Sequence, residues 1–214
     1  MAAHVLQHAT RLGDKTALSV VDPCGTEDWS FARLEAAVRG TGSGLLELGL
    51  VPGDVVLMRL GNTVDFPLAY LGALAVGLVP VPTAAALTLP EVTRIADVLN
   101  PKVILRDPGI DCPTRAGICT VDELREMRGL PPAQWHMGDP DRLGYIIYTS
   151  GTSGTPQAVM HAHRAIWARQ MMFDGWYGLR EDDRMMHAGA FNWTYTLGTG
   201  LMDPWTRGAT ALIP

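Results

Sequence analysis

Short apolar runs alternate along this chain with longer stretches in which apolar residues recur three and four apart. Continuous runs suit strands buried on both faces, and the longer spacing suits helices with one buried stripe. Ala17–Val21 is predicted as a strand, followed by a turn at Asp22-Pro23-Cys24-Gly25. Ser30 is the predicted N-cap of a helix carrying Phe31, Leu34, Val38, Leu45 and Leu48, closed by Gly49. Pro52-Gly53-Asp54 turns the chain into a strand at Val55–Leu60. Asn62 is read as the cap of a helix ending near Gly77, and Leu78–Val81 as a strand broken by prolines. Thr88-Leu89-Pro90-Glu91 and Thr120-Val121-Asp122-Glu123 are capping boxes opening two further helices, with a strand at Val103–Leu105 between them. The proline-rich stretch Gly129–Pro140 is a surface connection.

Tyr145–Tyr148 is a continuous apolar strand that runs into a Gly/Ser/Thr loop, Thr149–Thr155. A short strand around Ala158–Met160, a helix from about Arg164, a strand at Arg184–Met186, a helix near Leu197–Met202 and a strand at Ala209–Ile213 complete the pattern. The alternation predicts an α/β fold, a doubly wound and mostly parallel sheet with helices on both faces. Tyr145–Tyr148 is expected as an inner strand, with the loop leaving its C-terminal end, where open α/β sheets bind ligands.

Composition narrows the function. The 214 residues are 47% hydrophobic and 18% charged, enough apolar side chain for a sizeable core. A net charge of −5 with scattered basic residues argues against nucleic acid and against an anionic membrane surface as partners. The longest apolar stretch, Leu68 to Pro82, is too short for a bilayer, and the first residues lack a basic region and apolar core of a signal peptide. Cys24, Cys112 and Cys119 have no close partners, which suits small buried thiols in a reducing compartment, so a cytoplasmic location is expected. The ten methionines are expected to fill core gaps, and His161 and His163 to be structural, since no acid or cysteine lies near them in sequence.

The informative segment is Tyr148-Thr149-Ser150-Gly151-Thr152-Ser153-Gly154-Thr155-Pro156-Gln157. Glycines let backbone approach a ligand closely, successive N–H groups can form an anion-holding nest, and hydroxyls donate to phosphate oxygens. A phosphate-gripping loop and a merely solvated connection both fit that composition. A Walker-type loop does not, because Thr155-Pro156-Gln157 lacks the terminal Gly-Lys-Ser/Thr. A serine nucleophile elbow fails as well, because the second glycine of Gly151-Thr152-Ser153-Gly154 comes one place early.

Continued through Ala158-Val159-Met160-His161-Ala162-His163-Arg164, this segment resembles the pyrophosphate-binding signature of the AMP-dependent synthetase and acyl-CoA synthetase superfamily of adenylate-forming enzymes. Tyr70–Pro82 is similar to that family's upstream helix–strand motif, and Leu201–Ala209 to a helix–strand junction of its acyl-CoA synthetase branch. The resemblance runs from Ala17 to Pro214. It implies two steps: ATP and a small carboxylic acid give acyl-AMP and pyrophosphate, then coenzyme A takes the acyl group, with Mg²⁺ accompanying the phosphates. No residue of this chain is implied as a nucleophile; the protein positions groups and stabilises charge.

By position, the resemblance implies that Thr149, Ser150, Gly151, Thr152, Ser153, Gly154, Thr155 and Gln157 bind ATP phosphates, with Thr152 also near the metal. Trp193, Tyr195 and Gly198 would line the acyl pocket. It further implies that residues 1–214 form the N-terminal part of the AMP-binding domain, with the C-terminal lid lying beyond them, so the isolated chain is expected to be inactive. The second reading is a non-catalytic nucleotide- or partner-binding module derived from the same fold. Self-association is expected through apolar surface around Phe191, Trp193, Tyr195, Leu197 and Leu201 and an unpaired strand at Ala209–Ile213.

One departure generates a test. Gln157 stands where the family's loop carries lysine, and Ala158 where it carries glycine. A neutral amide can donate to phosphate, but a charged donor contributes roughly 1.5–3 kcal/mol against about 1 for a neutral one. Gln157→Lys is therefore expected to tighten ATP or pyrophosphate binding in calorimetry, with a gain that shrinks as salt is added. No gain at low ionic strength would mean that this position does not face phosphate.

Overall fold

The computed structural model describes residues 1–114, 117–149 and 157–214, so Ser150 to Pro156 of the predicted loop lie outside the described residues. Among the described residues three sheets are formed. Strands β1 (Thr16–Asp22), β2 (Gly25–Ser30), β9 (Arg184–Met186) and β10 (Thr210–Ile213) give the order β2-β1-β10-β9, with only the β1–β2 hairpin antiparallel. Strands β3 (Val55–Arg59), β4 (Val79–Pro82), β5 (Val103–Arg106) and β6 (Gly117–Thr120) form an all-parallel sheet in the order β4-β3-β5-β6. Strands β7 (Leu143–Thr149) and β8 (Gln157–Ala162) form an antiparallel ribbon.

The helices are α1 (Ala2–Val5), α2 (Phe31–Glu47), α3 (Asp65–Ala75), α4 (Leu89–Leu99), α5 (Val121–Met127), α6 (Ala165–Arg169), α7 (Met171–Gly175) and α8 (Asp203–Arg207). A π-helical segment, Thr196–Met202, leads into α8.

The parallel sheet is covered on both faces, as the alternation predicts. Val56 and Met58 of β3 and Val103 and Leu105 of β5 face the main core, shared with α2, α3 and α5. Leu57 and Ile104, one residue out of phase, face a second core with Val92, Ile95 and Ala96 of α4. Strand periodicity alone sends alternate residues into different cores. The main core also takes in Leu18 of β1 and Ala211 of β10, so it joins this sheet to the mixed one. There the fully buried Trp205 of α8 donates its indole N–H to the Ala17 carbonyl at 2.8 Å.

The predicted caps are in place. Ser30 Oγ accepts from the Arg33 N–H at 3.2 Å, and both capping boxes, at Thr88 and Thr120, are closed. Each such cap contributes about 1 kcal/mol. Two short strands, β2 and β6, had no expectation from sequence; both lie at sheet edges. Leu48 is exposed rather than buried, because α2 ends at Glu47 and Gly49 turns the chain at φ +84°.

Tyr145–Tyr148 requires a correction. It is not an inner strand of the parallel sheet: among the described residues, β7 pairs only with β8. The cause lies in β4. The Val79 N–H donates to the Asp54 carbonyl, toward the β3 side of the strand, so the alternate positions Pro80 and Pro82 face the free edge. Proline has no N–H, so that edge lacks donors where a neighbour would need them. The ribbon packs there without joining the ladder: Tyr145 and Ile147 enter the main core, and Ile146 enters the second.

Other expectations also shift. β10 is paired on both sides, by β1 and β9, so it offers no free edge for self-association. Phe191, Leu197 and Leu201 are buried, whereas Trp193 and Tyr195 are exposed. Met58, Met127 and Met202 fill core gaps, but Met137, Met160, Met171 and Met186 are exposed, as is Cys24. No helix among the described residues is long and apolar enough to cross a membrane.

Helix α2 approaches its neighbours closely through glycine. A Cβ on Gly40 would lie 2.7 Å from the Arg128 carbonyl oxygen and 2.9 Å from that of Met127, and backbone cannot swing aside as a long side chain can. Alanine there gains helix propensity of about 1 kcal/mol but incurs an overpacking cost of about 1–3 kcal/mol. Gly40→Ala is expected to lower the urea midpoint at unchanged slope; a raised midpoint would show that the α2–α5 contact yields easily.

Candidate functional site

The ends of the parallel strands converge on one region. Leu60 and Asn62 follow the C-terminal end of β3, Thr83 and Ala85 follow β4, and Ala188, Ala190 and Asn192 follow β9. With Phe66 of α3 these residues enclose a cavity of about 380 Å³. That is the size of a small-molecule site, and the C-terminal ends of parallel strands are where open α/β folds bind ligands. Among the described residues, its lining holds no charged side chain.

Asn62 was expected to cap α3. The cap is instead Val64, and Thr63 Oγ1 accepts from the Asp65 N–H at 3.3 Å. Asn62 spans the mouth of the cavity: its amide donates to the Gly189 carbonyl at 3.0 Å, and its oxygen accepts from the Phe191 N–H at 2.8 Å. Asp65 is buried between Arg125, at 3.1 Å, and Arg128, which fixes the start of α3 to α5.

The β7–β8 ribbon carries the ends of the predicted phosphate loop. Thr149 and Gln157 are cross-strand partners, both exposed, and the segment between them lies outside the described residues. The structure thus shows Thr149 and Gln157 at the base of one hairpin connection; it describes no geometry for Ser150, Gly151, Thr152, Ser153, Gly154 or Thr155. A Thr hydroxyl and a Gln amide at that base are donors suited to an anion.

The three predicted pocket residues stand in different surroundings. Trp193 is 65% exposed and follows directly on Asn192 of the cavity wall. The Tyr195 ring meets His187 edge-on at 5.1 Å and tilts against Trp176 at 6.4 Å. Gly198 is buried in the π-helical segment, and a Cβ there would lie 2.4 Å from Arg169 Cζ. The space beside Gly198 is therefore filled by the Arg169 guanidinium.

Sequence reading missed that arginine. Arg169 forks onto the fully buried Asp203 at 2.7 and 2.6 Å and donates to Thr199 Oγ1 at 3.2 Å. The Tyr177 hydroxyl donates to the same carboxylate at 2.5 Å. Burial works against the Arg169 charge, but the hydrogen bonds and charge of Asp203 offset it and hold its pKa above the ordinary arginine value. Burial, aided by Asp203, pushes the Tyr177 pKa up. No local signal links residues 34 apart in sequence.

A larger cleft of about 490 Å³ between the turn after α1, α7 and α8 includes His8, Asp174 and Arg207. His8 meets the Thr206 carbonyl, and Arg207 pairs with Asp174, so these polar groups are already satisfied by protein. The cavity at the strand ends is the better candidate.

Over residues 5–214 the sequence matches the family described as AMP-binding enzyme. The 3-hydroxybenzoate–CoA/4-hydroxybenzoate–CoA ligase of Thauera aromatica is 28% identical over 96% of this chain and 42% of its own length. The long-chain-fatty-acid–CoA ligase FadD13 of Mycobacterium tuberculosis is 30% identical over 78% of this chain and 36% of its own. The benzoate CoA ligase structure from Burkholderia xenovorans LB400 superposes with a TM-score of 0.84 at 24% identity, covering 99% of this chain and 44% of that one. The chain spans about two fifths of the length of these relatives.

The histidines at the end of the ribbon both lie against protein groups. The His161 ring stacks on Tyr145 at 4.5 Å with a 3° interplanar angle, and His163 is buried with Nδ1 3.1 Å from the Met1 amino group. Among the described residues no group of three His, Cys, Asp or Glu side chains is arranged to hold a metal. Burial pushes the His163 pKa down to about 3, with the positive charges of Met1 and Arg142 adding to it. The unfolded chain binds a proton that folded His163 refuses, so stability from this group is lost as pH falls below about 6.5 toward 3. His163→Asn is expected to lose about 2 kcal/mol less stability than the unaltered chain between pH 7 and pH 4 in urea titrations. Parallel losses in the two proteins would show that His163 takes up its proton while folded.

Proposed function

The chain belongs to the AMP-binding enzyme family, and on that premise we propose that it contributes to an ATP-dependent acid–thiol ligase whose acid is a small aromatic carboxylate. The observation that carries this reading is the family match over residues 5–214, with the cavity at the strand ends as a place for part of a substrate. The named activities of the relatives in Thauera aromatica and Burkholderia xenovorans, both aryl–CoA ligases, support the aromatic acid.

In the proposed reaction an acid oxygen attacks the α-phosphorus of ATP, the bond to the bridging oxygen breaks, and pyrophosphate leaves with that electron pair. The sulfur of coenzyme A, giving up its proton, then adds to the acyl carbonyl carbon, and AMP departs with the electron pair of the broken carbon–oxygen bond. Thr149 and Gln157 hold the base of a loop whose Ser150, Gly151, Thr152, Ser153, Gly154 and Thr155 surround the β- and γ-phosphates. Hydroxyl and amide donors fit phosphate oxygens, although a neutral Gln157 grips them less firmly than a cation would. Mg²⁺ near Thr152 would neutralise phosphate charge. Trp193 and Tyr195 flank the acid, and the exposed Trp193 face suits an aromatic ring. Gly198 serves the pocket indirectly, by giving Arg169 its seat.

Gln157 favours one competing reading, a module that binds nucleotide or a partner without catalysis. Acid-dependent exchange between pyrophosphate and ATP decides between them. The enzyme carrying this chain is expected to exchange with benzoate or hydroxybenzoates in preference to fatty acids, and to form the corresponding thioester with coenzyme A. Trp193→Ala should raise the KM for the aromatic acid about tenfold while the KM for ATP changes little. ATP binding without exchange for any acid would establish the binding module instead.

A further inference from the structure

Strand β3 ends in an arrangement that its apolar sequence does not require. Arg59 is completely buried in a run that otherwise reads Val55-Val56-Leu57-Met58 and Leu60. A guanidinium has five N–H donors, and here each finds an oxygen. Nε donates to the Asp111 carbonyl at 2.7 Å. Nη1 donates to Thr83 Oγ1 at 3.1 Å and the Ala84 carbonyl at 2.6 Å, and Nη2 to the carbonyls of Ala85 at 3.3 Å and Leu87 at 3.0 Å. All five acceptors are neutral. The Thr83 hydroxyl donates onward to the Met58 carbonyl at 2.7 Å, which ties the same segment back to β3.

Burying a cation against neutral acceptors alone forfeits hydration that a carboxylate partner would partly restore. What this one achieves is geometric. Four of its five bonds go to residues 83–87, the segment after β4 that forms one wall of the cavity. Three residues further along, Asn62 holds a second segment of the wall, 188–192, through Gly189 and Phe191. The end of β3 therefore grips both segments, one by a buried fork and the other by an amide at the mouth.

We propose that Arg59 and Asn62 are positioning residues that set the width of this cavity for an uncharged portion of a substrate. The proposal rests on the ligase reading above, in that the substrates are an acid and a thiol besides ATP. The cavity lining, with Asn62, Asn192 and Thr83 among alanines, complements a slim neutral group rather than phosphate. Lysine cannot replace Arg59: it keeps the charge but has three donors on a single nitrogen, which cannot reach acceptors spread around a planar fork.

Arg59→Lys and Asn62→Ala test this, the second at an exposed position where folding is not at risk. Hydrogen exchange followed by mass spectrometry on the full chain gives a readout independent of activity. Arg59→Lys is expected to speed exchange at residues 84–87 and leave 189–191 unchanged, and Asn62→Ala to do the reverse. In the ligase assay each variant is expected to raise the KM for the acid or for the thiol about fivefold, with kcat and the KM for ATP within about twofold. Which of the two KM values moves identifies the substrate that enters. Faster exchange spread over the whole parallel sheet, or unchanged KM values for both acid and thiol, would overturn the proposal. The local exchange pattern in a protein with no ligase activity would instead remove the ligase reading and leave the two-segment frame standing.

Discussion

Two hydrogen-bond donors that proline cannot supply decide how this chain divides. With Pro80 and Pro82 facing the outer edge of β4, the parallel sheet stops at four strands, although an apolar strand lies beside that edge. The β7–β8 ribbon must satisfy its own backbone, and it does so by folding back on itself. The Gly/Ser/Thr segment consequently joins two antiparallel strands instead of crossing over to a parallel one. Its ends are brought together by the Thr149–Gln157 pair rather than by a helix. Side chains still observe the original geometry, since β7 sends alternate residues into the same two cores that flank the parallel sheet.

Around the candidate site, polar side chains do what apolar packing cannot. Hydrophobic contact is non-directional and tolerates sliding, whereas a fork of hydrogen bonds fixes angle as well as distance. Arg59, Asn62 and the Arg169–Asp203 pair each join segments far apart in sequence, and each acts where a loop or an irregular helix would otherwise be free to shift. Desolvation makes groups such as Arg59 and Asp203 costly to bury, so the places where they are buried are a guide to where geometry matters.

What the sequence made legible was local. Ser30, Thr88 and Thr120 were readable as caps because the groups they satisfy lie within one turn. The strands β3, β5 and β7 were readable because burial on both faces leaves a continuous apolar run. β2 and β6 were not, since edge strands need little apolar content: Gly25–Ser30 carries one buried apolar residue, Trp29. Asn62 misled because the same amide that can cap a helix can also bridge to backbone 127 residues away. Arg59 was not singled out, because its acceptors belong to two other connections far along the chain. The Gly/Ser/Thr segment was singled out by its residues, and the structure contributes the two strands that flank it.

The π-helical segment Thr196–Met202 holds one more residue per turn than an α-helix would, and it leads directly into Asp203. Each residue in a helix advances the direction of its side chain by about 100°. The wider winding therefore acts as an angular offset, turning Asp203 inward toward Arg169 when an ordinary helix of the same length would point it elsewhere. Chain length and side-chain bearing are interchangeable here. Six residues wound at about 100° each would reach nearly the same bearing as these seven do in the wider coil, so the segment carries a residue that the direction of the carboxylate does not itself demand.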